Sequence, residues 1–293
     1  MYENVFRLLR NPFALTADLR FPMTVPGQRR ALDEVLNAVL RRKGLILVSG
    51  AAGTGKTMLL NTIAVSVPPE LAQIAVLRFP ALDREEFLEM LLLELGVASA
   101  PGTKPRKLVA LERHLRRARE RGRAVAVLID EAHLAAPAVI EEICLLTNLE
   151  APEGKLLQIV LAGQNELEDR FAQEPLRSFQ QRIACRVRLE PLDPGQAAAY
   201  VKHRWKQAGG AGPPPFDPDA VDYLVMFSAG VPRVLNLLCD NALELASAES
   251  AGEVLPEHVV MAAKALAGRS SAETAGSERL LFRVYEGGVR KPG

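Results

Sequence analysis

Apolar residues along this chain fall into two rhythms. Short unbroken runs, Leu45-Ile46-Leu47-Val48 foremost, recur at 44–49, 73–79, 124–129, 156–162 and 185–189 and predict buried strands. Between the first four lie stretches with helical spacing; over 106–121, Leu108, Leu111, Leu115 and Ala118 share one face. Strands that alternate with helices predict a parallel sheet, because each crossover must return the chain to the same end. Beyond Pro191 the strand runs stop, and helices are predicted at 194–208, 218–227, 232–248 and 256–266. The run Gly209-Gly210-Ala211-Gly212-Pro213-Pro214-Pro215 is a loop within this helical region, since amphipathic segments flank it on both sides.

The pattern predicts an α/β fold. An αβα sandwich around a five-stranded parallel sheet occupies 28–191, opening with a helix at 28–42, and a small all-α lid domain follows at 192–267. Residues 1–27 carry Pro12, Pro22 and Pro26, which oppose regular helix and predict an extended arm laid over the core. Residues 268–293, rich in Ser, Ala, Gly and Glu, predict a flexible tail.

Composition adds limits. With 293 residues, 48% of them hydrophobic and 24% charged, the chain can bury a large core, so disorder is not the default. A net charge of +1 means that any polyanionic partner must be met by basic residues gathered locally, such as Arg113, Arg116, Arg117, Arg119, Arg121 and Arg123. Cys144, Cys185 and Cys239 lie far apart inside apolar segments and are expected as small core residues rather than metal ligands. No charged-then-apolar leader opens the sequence and no run reaches the roughly 20 apolar residues that span a bilayer, so a cytoplasmic location is expected.

The chemistry begins where the first strand ends. Gly50-Ala51-Ala52-Gly53-Thr54-Gly55-Lys56-Thr57 fits Gly-x-x-x-x-Gly-Lys-Ser/Thr, the phosphate loop of P-loop nucleoside triphosphatases. Glycines let the backbone curl around phosphate oxygens, and its N–H groups with the next helix N-terminus supply donors and positive dipole. Lys56 adds a cation at the β/γ-phosphates of a nucleoside triphosphate, and Thr57 can offer its hydroxyl to Mg²⁺.

A second strand, Val125-Ala126-Val127-Leu128-Ile129, ends in Asp130-Glu131, two acids that reach the crevice beside a phosphate loop. Asp130 would hold Mg²⁺, directly or through water; Glu131 would orient and polarise the attacking water. The next strand ends at Gly163-Gln164-Asn165, where Gln164, with Asn165 as the near alternative, could touch both γ-phosphate and water. Arg182, or Arg177, could project from the core edge toward a neighbouring subunit's nucleotide, and Arg233 in Gly230-Val231-Pro232-Arg233 sits in the first turn of a lid helix from which it could reach the β/γ-phosphates. His133 follows the acids closely but is expected as a hydrogen-bonded structural residue.

With these residues in place the chain resembles the AAA+ ATPases, most closely the ExeA/GspA group associated with general secretion in bacteria. The resemblance runs from Asn11-Pro12-Phe13 to about residue 266 and takes in Asp130-Glu131-Ala132-His133-Leu134, the Leu145-to-Glu150 run, Lys155 to Gln164, Gln181-Arg182-Ile183, Gly230-Val231-Pro232-Arg233 and Leu238-Cys239-Asp240. Asn165 departs from it, standing where the group often has proline. The resemblance implies ATP and Mg²⁺ as ligands and homo-oligomeric activity as a ring or filament. It gives the names Walker A, Walker B, sensor 1, arginine finger and sensor 2 to the phosphate loop, Asp130-Glu131, Gln164, Arg182 and Arg233, with Phe13, Pro12 and Gln28 as walls for the base. The implied function is ATP hydrolysis that drives assembly or remodelling of a protein complex at the envelope. A DNA-associated ATPase like the regulators of transposition and a nucleotide-dependent scaffold or switch with slow turnover stand as the alternatives.

Overall fold

The structure, a computed structural model, describes residues 2–21, 25–78, 82–98, 102–174 and 176–273. Along the chain these form α1 (Tyr2–Val5), α2 (Pro26–Leu40), β1 (Leu45–Gly50), α3 (Lys56–Ser66), β2 (Ala72–Leu77), α4 (Arg84–Glu94), α5 (Lys104–Glu120) and β3 (Ala124–Ile129). A 3₁₀ turn (Ala132–Leu134) leads to α6 (Pro137–Leu146), the two-residue strands β4 (Glu150–Ala151) and β5 (Gly154–Lys155), β6 (Leu157–Ala162) and α7 (Glu166–Ala172). After a second 3₁₀ segment (Leu176–Arg182) come β7 (Ile183–Leu189), α8 (Pro194–Gln207), α9 (Pro218–Ser228), α10 (Pro232–Ala248) and α11 (Pro256–Glu273). Among the described residues two compact units emerge: residues 28–50 with 56–189, and residues 2–27 with 51–55 and 190–273.

The first unit is a five-stranded parallel sheet in the order β2-β3-β6-β1-β7. Every residue of β1, β3 and β6 is buried, which is why these strands read as continuous apolar runs: helices cover both faces. The edge strand β7 differs, burying Val187 and Leu189 while Arg186 and Arg188 stay exposed. One amide interrupts the apolar centre, and both its oxygen and its nitrogen are paired. Gln158 in β6 accepts from the Gly44 backbone N–H (2.8 Å) and donates to the Lys155 carbonyl (3.1 Å), tying the starts of β1 and β6 together.

The second unit is helical, packed around Trp205, Leu224, Leu235, Leu238, Leu243 and Val259. Asp193 caps α8 through the Gln196 N–H while Gln196 reaches back, and Pro194 occupies the first turn. The N-terminal residues belong to this unit, not to the sheet. Tyr2 Oη donates to Asp240 (2.6 Å), the Asn11 amide donates to the same carboxylate oxygen (2.9 Å), and Phe13 is fully buried edge-on to Phe216. Arg204 donates to the Pro12 and Ala14 carbonyls and lies 4.2 Å from the centre of the Phe21 ring.

Several boundaries differ from those expected. The arm opens with α1 rather than running extended, because its first proline comes only at position 12. Helix α2 starts at Pro26, a residue suited to a first turn, and ends before Arg42, whose φ is +56°. Strand β7 begins at Ile183 and α11 continues to Glu273, six residues into the stretch expected as flexible; residues 274–293 lie outside the described residues. Cys144 and Cys239 are core residues as expected, whereas Cys185 on the edge strand is half-buried.

Candidate functional site

The turn from β1 into α3 carries the phosphate-loop motif. Lys56 is buried, and its Nζ donates to the Gly50 carbonyl at 2.9 Å. Burial lowers its pKa, while Glu131, Asp130 and Glu166 oppose that shift. A cation thus stands at the helix N-terminus with carboxylates close by. Thr57 Oγ1 donates to Asp130 Oδ2 at 2.7 Å, joining the first turn of α3 to the end of β3. A hydroxyl and a nearly buried carboxylate side by side are hard oxygen donors, the set that suits a small divalent cation also bound by phosphate and water. Within the loop itself, Gly53 has a φ of +80°, and a Cβ there would meet Arg233 Cβ at 2.8 Å; the Arg233 backbone N–H donates to the Gly53 carbonyl.

Beyond Asp130 the chain bends left-handed at Glu131, with φ +49° in a non-glycine residue, a conformation that costs about 1–2 kcal/mol. The Glu131 carboxylate remains 43% exposed, where a water could reach it. Because β6 lies beside β3, Gln164 comes to the same neighbourhood, and His133 stands between them. Its Nδ1 is 3.4 Å from Glu131 Oε2, and its Nε2 is 3.1 Å from Gln164 Nε2. Arg170 of α7 donates to the His133 and Ala135 carbonyls (2.6 and 2.7 Å), pinning the turn. Asn165 sits at the entry to α7 without a side-chain capping bond.

The arginines are placed differently. Arg182 is exposed, stacked 5.0 Å from the Phe179 ring, and donates to Asn148 Oδ1 (2.7 Å) and the Cys144 carbonyl (3.3 Å). Arg177 is also exposed, five residues earlier on the same 3₁₀ segment. Arg233 is exposed in the first turn of α10, which Pro232 opens.

Comparison with known proteins agrees with this geometry. A family model described as an AAA domain matches residues 39–171. General secretion pathway protein A of Aeromonas hydrophila is 34% identical over 269 residues, a match that takes in 92% of this chain and 49% of that protein. Over residues 39–171 this chain matches an AAA domain. It spans about half the length of the curated relative it matches. Among solved structures, Cdc6p from Pyrobaculum aerophilum superposes with a TM-score of 0.66 at 18% identity, covering 83% of this chain and 68% of that one. ORC2 of Aeropyrum pernix gives 0.64 at 15% identity (92% and 74% covered), and the RuvB Holliday junction branch migration motor of Thermotoga maritima gives 0.56 at 17% (85% and 74%). At such identities these likenesses establish the fold.

The matched AAA span contains the phosphate loop, Asp130, Glu131, His133, Gln164 and Arg170, whereas Arg182 and Arg233 lie outside it. Two features of this site were not read from the sequence: Arg170 as the clamp on the turn after Glu131, and the bond from Ser49 to Glu168 that fastens α7 to the end of β1. A Ser just before a phosphate loop and an acid in a helix first turn carry no spacing signal that pairs them. The expected base-pocket walls are also modified. Phe13 is fully buried in the helical unit, so its ring fills a core rather than lining an open cleft.

Proposed function

We propose that this AAA+ chain is an ATPase that binds ATP with Mg²⁺ and hydrolyses it at an interface between subunits. The observation that carries this reading is the meeting of Thr57 with Asp130 beside Lys56, with Glu131 next in line. The backbone N–H groups of Gly50 to Thr57 and the Lys56 ammonium would hold the β- and γ-phosphates and take up charge as the terminal P–O bond breaks. Thr57 and Asp130 would hold Mg²⁺, which when bound neutralises phosphate charge and fixes the triphosphate. Glu131 would orient the attacking water and accept its proton, Gln164 would position that water against the γ-phosphate, and Arg233 would bind the β/γ-phosphates.

Arg182 is our candidate for the arginine offered to a neighbouring subunit's nucleotide. An arginine in that role contributes roughly 10³–10⁵ in rate, or about 4–7 kcal/mol. Its hold on Asn148 and Phe179 supports this choice over Arg177, because a guanidinium already oriented loses less freedom on docking. The work done is assembly or remodelling of a protein complex, as the kinship with general secretion pathway protein A suggests. It is carried out in the cytoplasm as a homo-oligomer, with inner-membrane contact made through a partner; among the described residues no helix is long and apolar enough to cross a membrane.

Phosphate release by the purified chain tests the reading. Lys56→Ala is expected to lose nucleotide binding, whereas Glu131→Gln keeps it and loses about 10²-fold or more in turnover. Unchanged turnover in Glu131→Gln removes the proposed base, and partner assembly that persists unaltered in that variant favours the scaffold over the motor.

One observation favours the DNA-associated alternative. Arg42 donates to the Gly122 carbonyl, which brings it to the turn that carries the exposed Arg121 and the half-buried Arg123. Such donors suit phosphodiester oxygens. Duplex DNA binding that falls steeply with salt, and turnover stimulated by DNA only while Arg121 and Arg123 are present, would decide for it.

A further inference from the structure

The turns that feed the centre of the sheet are basic. Helix α2 runs into Arg41-Arg42-Lys43, where Arg42 is left-handed at φ +56°, and α5 runs into Arg121-Gly122-Arg123, where Gly122 has a φ of +77°. Strand β6 separates β1 from β3, so these two turns lie on either side of the start of β6. The Arg42 guanidinium spans that gap and donates to the Gly122 carbonyl at 2.8 Å. Neighbouring strands stand about 4.8 Å apart, so the row of strand starts from β2 to β1 is about 15 Å long.

Nearby acids do not cancel this charge. Glu150 and Glu153 pair with Lys155 (2.7 Å) and Arg119 (3.3 Å). That leaves the exposed Glu70 and Glu120 against Arg41, Arg42, Lys43, Arg121 and Arg123, an excess of positive charge. Burial and the adjacent Arg119 charge lower the Arg42 pKa, so these cations crowd one another and gain from an anion.

Two leucines stand beside the same row. Leu40, the last residue of α2, is 41% exposed. Leu71 is 53% exposed, and its carbonyl accepts from the Ala124 N–H at 2.9 Å, which sets it next to Arg123. Duplex DNA offers phosphates to the cations and nothing to the leucines. The surface of a bilayer serves both, since anionic headgroups lie directly above hydrocarbon.

We infer that this end of the sheet binds the surface of an anionic lipid bilayer, with Arg41, Lys43 and Arg121 on the headgroups and Leu40 and Leu71 at the acyl boundary. The contact is direct and adds to any made through a partner. It does not depend on ATP hydrolysis. Asp130 and Gln164 follow the far ends of β3 and β6 and stay clear of the lipid.

Flotation of the full chain with vesicles tests the charged half of the inference. The chain should float with phosphatidylcholine vesicles that contain about one third phosphatidylglycerol, and not with phosphatidylcholine alone. Binding should fall about tenfold or more between about 0.05 and 0.3 M salt. Each lysine or arginine near an anionic surface adds about fivefold in affinity, so Arg41→Gln/Lys43→Gln/Arg121→Gln should weaken binding about a hundredfold. Arg41→Lys/Arg121→Lys keeps the charge and should bind within about twofold of wild type. All these residues are exposed, and circular dichroism melts that match wild type establish that each variant is folded.

The apolar half has its own readouts. Leu40→Ser/Leu71→Ser should weaken vesicle binding about tenfold. Leu71→Trp should be quenched by lipids brominated on their acyl chains, whereas wild type, whose sole tryptophan Trp205 is buried, should not. A chain that ignores phosphatidylglycerol vesicles, or a glutamine variant that binds them as wild type does, overturns the inference. Duplex DNA bound more tightly than vesicles, with the serine variant unaffected and Leu71→Trp unquenched, also overturns it and gives the same cations to DNA. Wild-type protein that releases no phosphate removes the ATPase reading and leaves the vesicle results to decide the bilayer contact alone.

Discussion

Gly230 offers the sharpest test of how the helical unit is built. Its φ is +73°, and a Cβ at this position would lie 2.0 Å from the Leu192 carbonyl oxygen and 3.0 Å from the Leu192 C and N atoms. These are backbone atoms, and the Leu192 N–H already donates to the Gly230 carbonyl at 2.8 Å. Replacing Gly230 by alanine therefore cannot be absorbed by a side-chain rotation. The left-handed conformation costs about 1–2 kcal/mol and the lost backbone bond about 1 kcal/mol. Displacing the buried Leu192 adds about 1–2 kcal/mol, for a total of about 3–5 kcal/mol.

Trp205, the sole tryptophan, is buried among these helices, so its fluorescence in a urea titration reports this unit. The Gly230→Ala midpoint should fall by about 1–2 M. The neighbouring Ala229 supplies the control. It holds a left-handed φ of +47° with a side chain, and Ala229→Gly should be neutral or stabilising by up to about 1 kcal/mol. A Gly230→Ala protein whose midpoint matches the wild type would refute the reasoning.

Burial pushes the Cys144 thiol from 9.0 up to about 12, and Cys239 shifts in the same direction. The folded state thus keeps these protons longer than the unfolded state does; their stabilisation is full below about pH 9 and is lost toward pH 12, at up to about 1.4 kcal/mol per thiol and pH unit. Urea midpoints should be flat from pH 7 to 8.5 and decline above 9, less so in Cys144→Ala. Arg204→Met removes donors from the Pro12 and Ala14 carbonyls and should destabilise the arm by about 2–4 kcal/mol, seen as faster tryptic cleavage after Arg7 or Arg10. Lys56→Ala and Arg182→Ala subunits, each inactive alone, should recover roughly a quarter of wild-type turnover when mixed in equal amounts, as random pairing across a shared interface requires; no recovery in assembled protein removes Arg182 from that role.

Much of this molecule was legible because the relevant signals are local. Unbroken apolar runs identified β1, β3 and β6 since burial on both faces leaves no polar alternation, and the glycine-lysine loop was visible because its spacing is set by phosphate geometry. What could not be read depends on contacts distant in sequence. The Ser49 bond to Glu168, the Arg170 clamp and the place of His133 between Glu131 and Gln164 all arise from the sheet order, which juxtaposes strands separated by other elements. The arm was misjudged for the same reason: Tyr2 and Asn11 find Asp240 more than two hundred residues away, and no local pattern points there.

The β4–β5 hairpin enters β6 at its first residues, the end of a parallel strand opposite the Gly163-Gln164 tip. Parallel strands keep all their exits at one rim and all their entrances at the other. Sequence can therefore be lengthened or exchanged at Pro152-Glu153 without shifting the acid and amide tips that lie a full strand length away. The entrance rim is thus free to accept new sequence, while the exit rim holds its geometry constant.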